Sequence, residues 1–309
     1  MKDRARLAPY ILIAPFLALF VVFTLVPLVK AVPLSMHHTF GPGASAFVGA
    51  EKFSEALSDH RFWTALRNTL VFTAGSVFIQ LPIALMLALL LNRRRLKGRN
   101  TFRLLFFSPQ LVGLVFVAVL ASVMFQKQRG LVNSLLASGA DLLRDLPLLN
   151  AESWLPTNTA ILSIPWLETL AMPTLIITAL WMYAGFNMVY FLAALQNVPR
   201  ELEEAAMIDG AGPVRRFFVV VLPAIKPVSI FVVLLSVIGS IQVFELAYIM
   251  LPEGMGLQDR GLTLVTYLFK NGFEIGDLGY ATAIGWLIAV LLATAAVGQR
   301  LASRDGGLR

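Results

Sequence analysis

Six charge-free apolar runs of about twenty residues or more alternate with more polar segments along the chain. They are Leu7 to Val29, Asn68 to Asn92, Leu104 to Gln126, Thr169 to Val198, Pro227 to Phe244 with an apolar continuation to Leu251, and Leu278 to Gln299. A helix of that length crosses a hydrocarbon core of about 30 Å. The runs are continuous and lack the alternation of a lipid-facing strand, so the pattern predicts helices and not a barrel. A seventh uncharged stretch, Ser153 to Leu167, is short and interrupted by Pro156 and Pro165, and is expected not to span. The expected fold class is all-α: a polytopic membrane protein with six transmembrane helices.

Composition agrees with that solvent. The hydrophobic set makes up 58% of the residues, charged residues 14%, and mean hydropathy is +0.76, values foreign to a soluble domain of this size. The chain has no cysteine, which removes disulfides, thiolate metal sites and cysteine nucleophiles. Its first run follows Lys2, Arg4 and Arg6 as a signal peptide would, but the apolar stretch is too long and no small-residue cleavage pattern follows, so it reads as an anchor.

The net charge of +7 raises the question of nucleic acid, and its distribution answers it. With six spans, sixteen of the 25 basic residues fall in four segments on one side. These are Lys2 to Arg6, the cluster from Arg93 to Arg103, the stretch from Arg200 to Lys226, and the C-terminal Arg300, Arg304 and Arg309. Basic residues collect on the cytoplasmic side, so both termini are expected there. The Arg93 to Arg99 cluster suits anionic lipid headgroups better than nucleic acid.

One of those segments, Val198 to Pro227, is a charged island between two apolar runs. Pro199 followed by Arg200, Glu201, Glu203 and Glu204 marks a helix start, acids being favoured at the positive end of the helix dipole. Gly210 and Gly212 are both able to take positive φ, and Pro213 opens a second helix expected to run towards Leu222 and to break at Pro223. Two short helices joined by a Gly-rich turn are predicted.

Glu204-Ala205-Ala206, Gly210, Val220 and Leu222-Pro223, at their spacing, resemble the cytoplasmic Glu-Ala-Ala (EAA) loop of bacterial ATP-binding-cassette importer permeases. Ile208-Asp209-Gly210-Ala211 is similar to the carbohydrate branch, the maltose-type inner-membrane permeases. The resemblance extends along most of the chain. It includes Phe47-Val48-Gly49-Ala50-Glu51-Lys52-Phe53, Phe62-Trp63 with Asn68-Thr69, Phe102-Arg103, Gly130 to Asn133, Ile164 to Leu167, Gly185-Phe186-Asn187, Gln242-Val243-Phe244 and Gly279-Tyr280-Ala281. It implies a tail and first helix over residues 1–32, an external loop over 33–65, a core permease domain with five helices over 66–302, and a cytoplasmic tail over 303–309. Two departures stand out: an external insertion at about 140–159, and Pro252 to Gly256 where the family often has Gly-Gly-Pro.

In that family the loop over 198–227 docks on a cytoplasmic ATPase. The resemblance therefore implies coupling roles for Glu204, Ala205, Ala206, Asp209, Gly210, Leu222 and Pro223. It also implies a second homologous permease, two ATPase subunits that bind ATP and Mg, and an extracytoplasmic solute-binding protein. The chain itself has no phosphate-cradling Gly-x-x-x-x-Gly-Lys loop, no nucleophile elbow and no zinc-protease motif, so no cofactor and no enzymatic chemistry is expected of it.

A polar path through the bundle remains. Ser236 and Ser240 lie one turn apart on the fifth span with Gln242 and Glu245 on a neighbouring face, and the fourth span offers Tyr183 and Asn187. Polar side chains in a span face the interior, where they either hydrogen-bond another helix or line a wet cavity. Both readings stand at this point. By the resemblance, a sugar would be held near the midplane, and Tyr183, Phe186, Asn187, Ser236, Ser240 and Gln242 are the candidates. The expected function is the permease subunit of a carbohydrate importer in the cytoplasmic membrane. A polyol or glycerophosphodiester carrier, an ion-coupled secondary transporter and a signalling partner of an ATPase are the alternatives.

Overall fold

The computed structural model describes residues 12–39, 45–93, 96–144 and 163–304. Most of the expected insertion at 140–159, the first residues of the first apolar run, and Arg94 and Arg95 lie outside them. The described helices are α1 (Leu12–Leu34), α2 (Glu51–Ser58), α3 (His60–Leu91), α4 (Arg99–Val112), α5 (Leu114–Met124), α6 (Leu131–Arg144), α7 (Ala171–Gln196), α8 (Arg200–Ile208), α9 (Pro213–Ile241), α10 (Glu245–Met250), α11 (Leu264–Phe269) and α12 (Leu278–Arg304). A two-stranded antiparallel hairpin, β1 (His37–Thr39) with β2 (Ser45–Phe47), pairs His38 with Ala46.

Five helices, α1, α3, α7, α9 and α12, are long and apolar enough to cross a membrane. The sixth span is the α4–α5 pair, bent by 97°. The apolar run from Leu104 to Gln126 is thus not one straight helix. Gly113 separates its halves at φ 95 and ψ 148, a conformation that a residue with a Cβ resists, and Pro109 lies inside α4. The fifth run is also interrupted. Its helix ends at Ile241, Gln242 is the C-cap, and Phe244 at φ −133 and ψ −68 precedes α10.

Pro223 does not break its helix. A π-helical turn, Phe217–Val221, comes before it, and Leu222 donates its N–H to the carbonyl of Phe217 five residues back. The wider turn accommodates a proline that has no N–H to give, so α9 runs on through Pro223 and Pro227.

The chain forms two units, residues 1–62 with 267–290, and residues 63–266 with 291–309. In the larger unit α7 is central and buries fifteen residues. Met188, Phe191, Leu192 and Leu195 pack with Leu81, Ala84, Ala88 and Leu91 of α3 and Val221, Ile225 and Val232 of α9. Leu175 and Ala179 pack with Ala118 and Ala121 of α5 and Leu246 and Ala247 of α10. Small residues let helices approach closely in a membrane. At Gly185 of α7 the backbone of α4 comes so near that a Cβ would lie 1.9 Å from the carbonyl oxygen of Phe106.

The smaller unit is held by a polar cluster. Lys52, 2% exposed, donates to Asp277 at 2.8 Å and to Glu55 at 2.9 Å. Asp277 also accepts from Thr39 Oγ1 at 3.2 Å and from the Tyr280 N–H at 3.0 Å. Asp59 accepts from the hydroxyls of Tyr267 and Tyr280 and from the Arg61 N–H. Burial works against the charge on each of these groups, but the hydrogen bonds prevail: Asp59 and Asp277 are held below the usual carboxylate range and Lys52 above the usual lysine value.

Candidate translocation cavity and docking loop

Five helices of the larger unit meet around a cavity of about 200 Å³. Helix α7 contributes Ala179, Tyr183, Phe186 and Asn187, and α9 contributes Leu235, Ser236, Gly239 and Ser240. Phe72, Ser76 and Gln80 come from α3, Leu114 from α5, Gln242 and Val243 from the break between α9 and α10, and Glu245 and Leu246 from the start of α10. All six path candidates from the sequence therefore line one space. Gly113 at the α4–α5 bend brings Leu114 to the same wall.

The lining divides into two kinds of polar group. Ser76 and Ser236 share a hydrogen bond of 2.8 Å, and Ser240 donates to Thr73 Oγ1 at 3.0 Å, so two hydroxyl pairs one turn apart join α3 to α9. These serines serve helix packing while facing the void. The side chains of Tyr183, Asn187, Gln242 and Glu245, in contrast, make no hydrogen bond or ion pair among the described residues. Asn187 is only 7% exposed, and the amide atoms that it turns to the cavity can take water or a ligand as partner. Phe186 stands edge-on to Tyr190 at 5.2 Å and offers an aromatic face.

Ser76 and Gln80 were absent from the sequence-based set. Both are buried, and together they delimit a π-helical turn, Ser76–Gln80, followed by Pro82. With Thr73 they are the only polar side chains from Val71 to Leu91, at positions that share one helix face. That stripe was readable in advance.

The second feature is the loop between α7 and α9. Pro199 is the N-cap of α8, one position earlier than expected, and Glu201 and Glu203 occupy its first turn. The helix ends in a Schellman motif: Gly210 N–H donates to Met207 at 3.1 Å and Ala211 N–H to Ala206 at 2.9 Å, with Gly210 at φ +76. Asp209 caps the helix, its N–H bonded to Ala205 at 3.0 Å. Gly212 does not take positive φ; it is extended at φ −65 and ψ 167 and serves as the N-cap of α9. Only Gly210 makes the turn.

Helix α8 buries no side chain. Glu204 and Ala205 are exposed and Ala206 is half-buried, while Leu202, Met207 and Ile208 expose apolar surface, Ile208 to 87%. Glu203 lies 3.9 Å from Arg216, across the turn. Leu222 and Pro223 stand apart from α8, beyond the π-turn of α9.

An apolar helical bundle with a cavity among its helices and an uncovered helical loop fits a membrane transport subunit. The chain belongs to the family of binding-protein-dependent transport system inner membrane components, whose pattern matches residues 80–304. It is 34% identical over 288 residues to the arabinooligosaccharides transport system permease protein of Bacillus subtilis, covering 93% of this chain and 85% of that one. It is 32% identical over 297 residues to the lactose transport system permease protein of Rhizobium radiobacter, covering 96% and 94%. Its fold is that of a chain in a bacterial ABC transporter that imports the acidic polysaccharide alginate, with a TM-score of 0.79 at 24% identity and 98% of each chain covered. It is a multi-pass inner-membrane protein and a transport component, not an enzyme.

Proposed function

We propose that this chain is the permease subunit of an ATP-driven carbohydrate importer, that sugar passes through the cavity beside Asn187, and that α8 receives a cytoplasmic ATPase. The observation that carries the reading is the gathering of Tyr183, Phe186, Asn187, Ser236, Ser240 and Gln242 around one void. A saccharide needs hydroxyl and amide partners plus an aromatic face, and this lining offers all three. The sugar names of the similar permeases support the cargo class. The excess of basic residues near the loop supports a cytoplasmic position for α8 and for both termini.

A second homologous permease, two ATPase subunits binding ATP and Mg, and an extracytoplasmic solute-binding protein complete the machine. Closure of the ATPase dimer displaces α8. Because α9 is a single helix from the loop to Ser240, the displacement reaches the cavity wall and opens the site to alternate sides. Glu204, Ala205, Ala206 and Asp209 present the docking surface, Gly210 fixes its angle, and Leu222 with Pro223 joins it to the bundle.

Proteoliposomes holding the four components test this. Uptake of one sugar from a labelled panel should require ATP and should vanish in Asn187→Leu and Gly210→Pro, with membrane insertion retained. Gradient-driven uptake by this chain alone would make it a secondary transporter, and ATP-dependent flux confined to polyols or glycerophosphodiesters would replace the cargo.

A further inference from the structure

The similar permeases and the structural neighbour carry, by their names, uncharged and acidic saccharides alike. Kinship and fold thus leave the charge of the cargo open, and the side chains lining the cavity must decide it. We propose that Glu245 is a charge filter, a specificity-determining residue that restricts the cavity to uncharged saccharides and rejects uronate and phosphate sugars. The inference rests on the reading of the cavity as the sugar path.

Glu245 is the one ionisable carboxylic side chain among the described lining residues, and no lysine, arginine or histidine accompanies it. It has no ion-pair or hydrogen-bond partner among the described residues, and its side chain is exposed. The break after Gln242 places it there. Had the fifth span continued as one helix, the residues from Gln242 onwards would have kept the α9 register; instead Phe244 turns the chain, and Gln242 and Glu245 both reach the void. A site built for acidic sugars needs a cation to offset lost hydration of the carboxylate, and this lining supplies none. Its remaining polar groups are hydroxyls and amides that suit a neutral sugar. A second carboxylate held about 6 Å from Glu245, at an effective dielectric of about 40, weakens binding roughly tenfold.

The test measures equilibrium binding to the assembled importer in nanodiscs, with maltose, lactose and arabinobiose as neutral probes and digalacturonate as the acidic one. The readout is the ratio of acidic to best neutral affinity, in which general changes of affinity cancel. Wild type should hold digalacturonate at least about tenfold more weakly. Glu245→Gln should raise the ratio roughly tenfold, Glu245→Lys further, and Glu245→Asp should keep the wild-type ratio. An unchanged ratio in both the Gln and Lys variants, with neutral binding present, overturns the filter and leaves the sugar path standing. Absence of any saccharide binding or uptake in wild type overturns the sugar path and the filter together.

Discussion

Gly210 and Gly212 look alike in the sequence and differ in the structure, which makes them a matched pair. Gly210 holds φ +76, where an L-residue pays about 1–2 kcal/mol, while Gly212 at φ −65 is open to any residue. A Cβ at either position meets nothing within 4 Å. Sterics therefore drop out, and backbone conformation alone separates the two. Gly210→Ala should cut the population of the Schellman turn about five- to thirtyfold relative to competing loop conformations. Gly210→Asn should cost less, since asparagine tolerates the left-handed region. Gly210→Pro forbids it and also removes the hydrogen bond to Met207.

Transport measured in reconstituted importer should fall in the order Gly, Asn, Ala, Pro at position 210, and Gly212→Ala should match wild type. Pull-down of the ATPase should follow the same order, because what changes is the angle at which α8 is presented. Equal loss in Gly210→Ala and Gly212→Ala would refute the conformational argument. So would full uptake in Gly210→Pro, which would remove the coupling role altogether.

At Gly239, on the cavity wall, a Cβ also meets nothing within 4 Å; Gly239→Phe should therefore block uptake while thermal stability and assembly persist, and unimpaired uptake would take the path elsewhere. In the smaller unit, Lys52→Ala strands Asp277 in a mostly buried site and should cost about 3 kcal/mol, read as faster hydrogen exchange over residues 51–58, whereas joint replacement by Met and Leu should restore protection. The same cluster sets a pH window. Asp59 and Asp277, held low by their hydrogen bonds against the effect of burial, stabilise the unit above their ordinary values, and that contribution is lost as pH falls through the depressed ones. Lys52, raised, contributes fully below its ordinary value of 10.5 and loses its share as pH climbs through the raised one. Protection of residues 51–58 should therefore decline in strong acid and in strong alkali, and the Met/Leu double variant should lose the alkaline decline.

The polar lining of the cavity was legible because a hydrophobic solvent makes polar side chains conspicuous: an asparagine or serine in an apolar run tends to face inward. Tyr183, Asn187, Ser236 and Ser240 were found that way, and Ser76 and Gln80 would have been found by the same rule on the second span. The rule does not separate a lining residue from a packing one, and here the serines are both. Lys52 was not legible. In a charged segment it resembles any solvated lysine, and its partner Asp277 lies 225 residues further on. The break at Gln242 to Phe244 was hidden for a different reason. Nothing in its composition distinguishes it from the apolar run, and what ends α9 there is the tertiary setting, with Val243 accepting from Thr263 Oγ1 at 2.9 Å.

The prolines carry the reasoning furthest. Pro27, Pro82 and Pro223 each sit two residues past a π-helical turn, Val21–Leu25, Ser76–Gln80 and Phe217–Val221. In each turn a five-residue hydrogen bond closes just before the proline, so the missing N–H falls where the helix is already wide. A breaker in the sequence thus becomes a locally widened turn in a continuous span. On α9 this matters for transmission. From Pro213 to Ser236 the helix covers about 35 Å and joins the docking loop to the cavity without a gap in the chain's helical path. Had Pro223 ended the helix, a push on α8 would have been absorbed in a loop. Because the π-turn preserves it, a push on α8 would, in the proposed coupling, arrive at Ser236 and Ser240, which are tied by hydrogen bonds to Ser76 and Thr73 on α3. In the proposed coupling, movement of the loop would then be movement of two cavity walls at once.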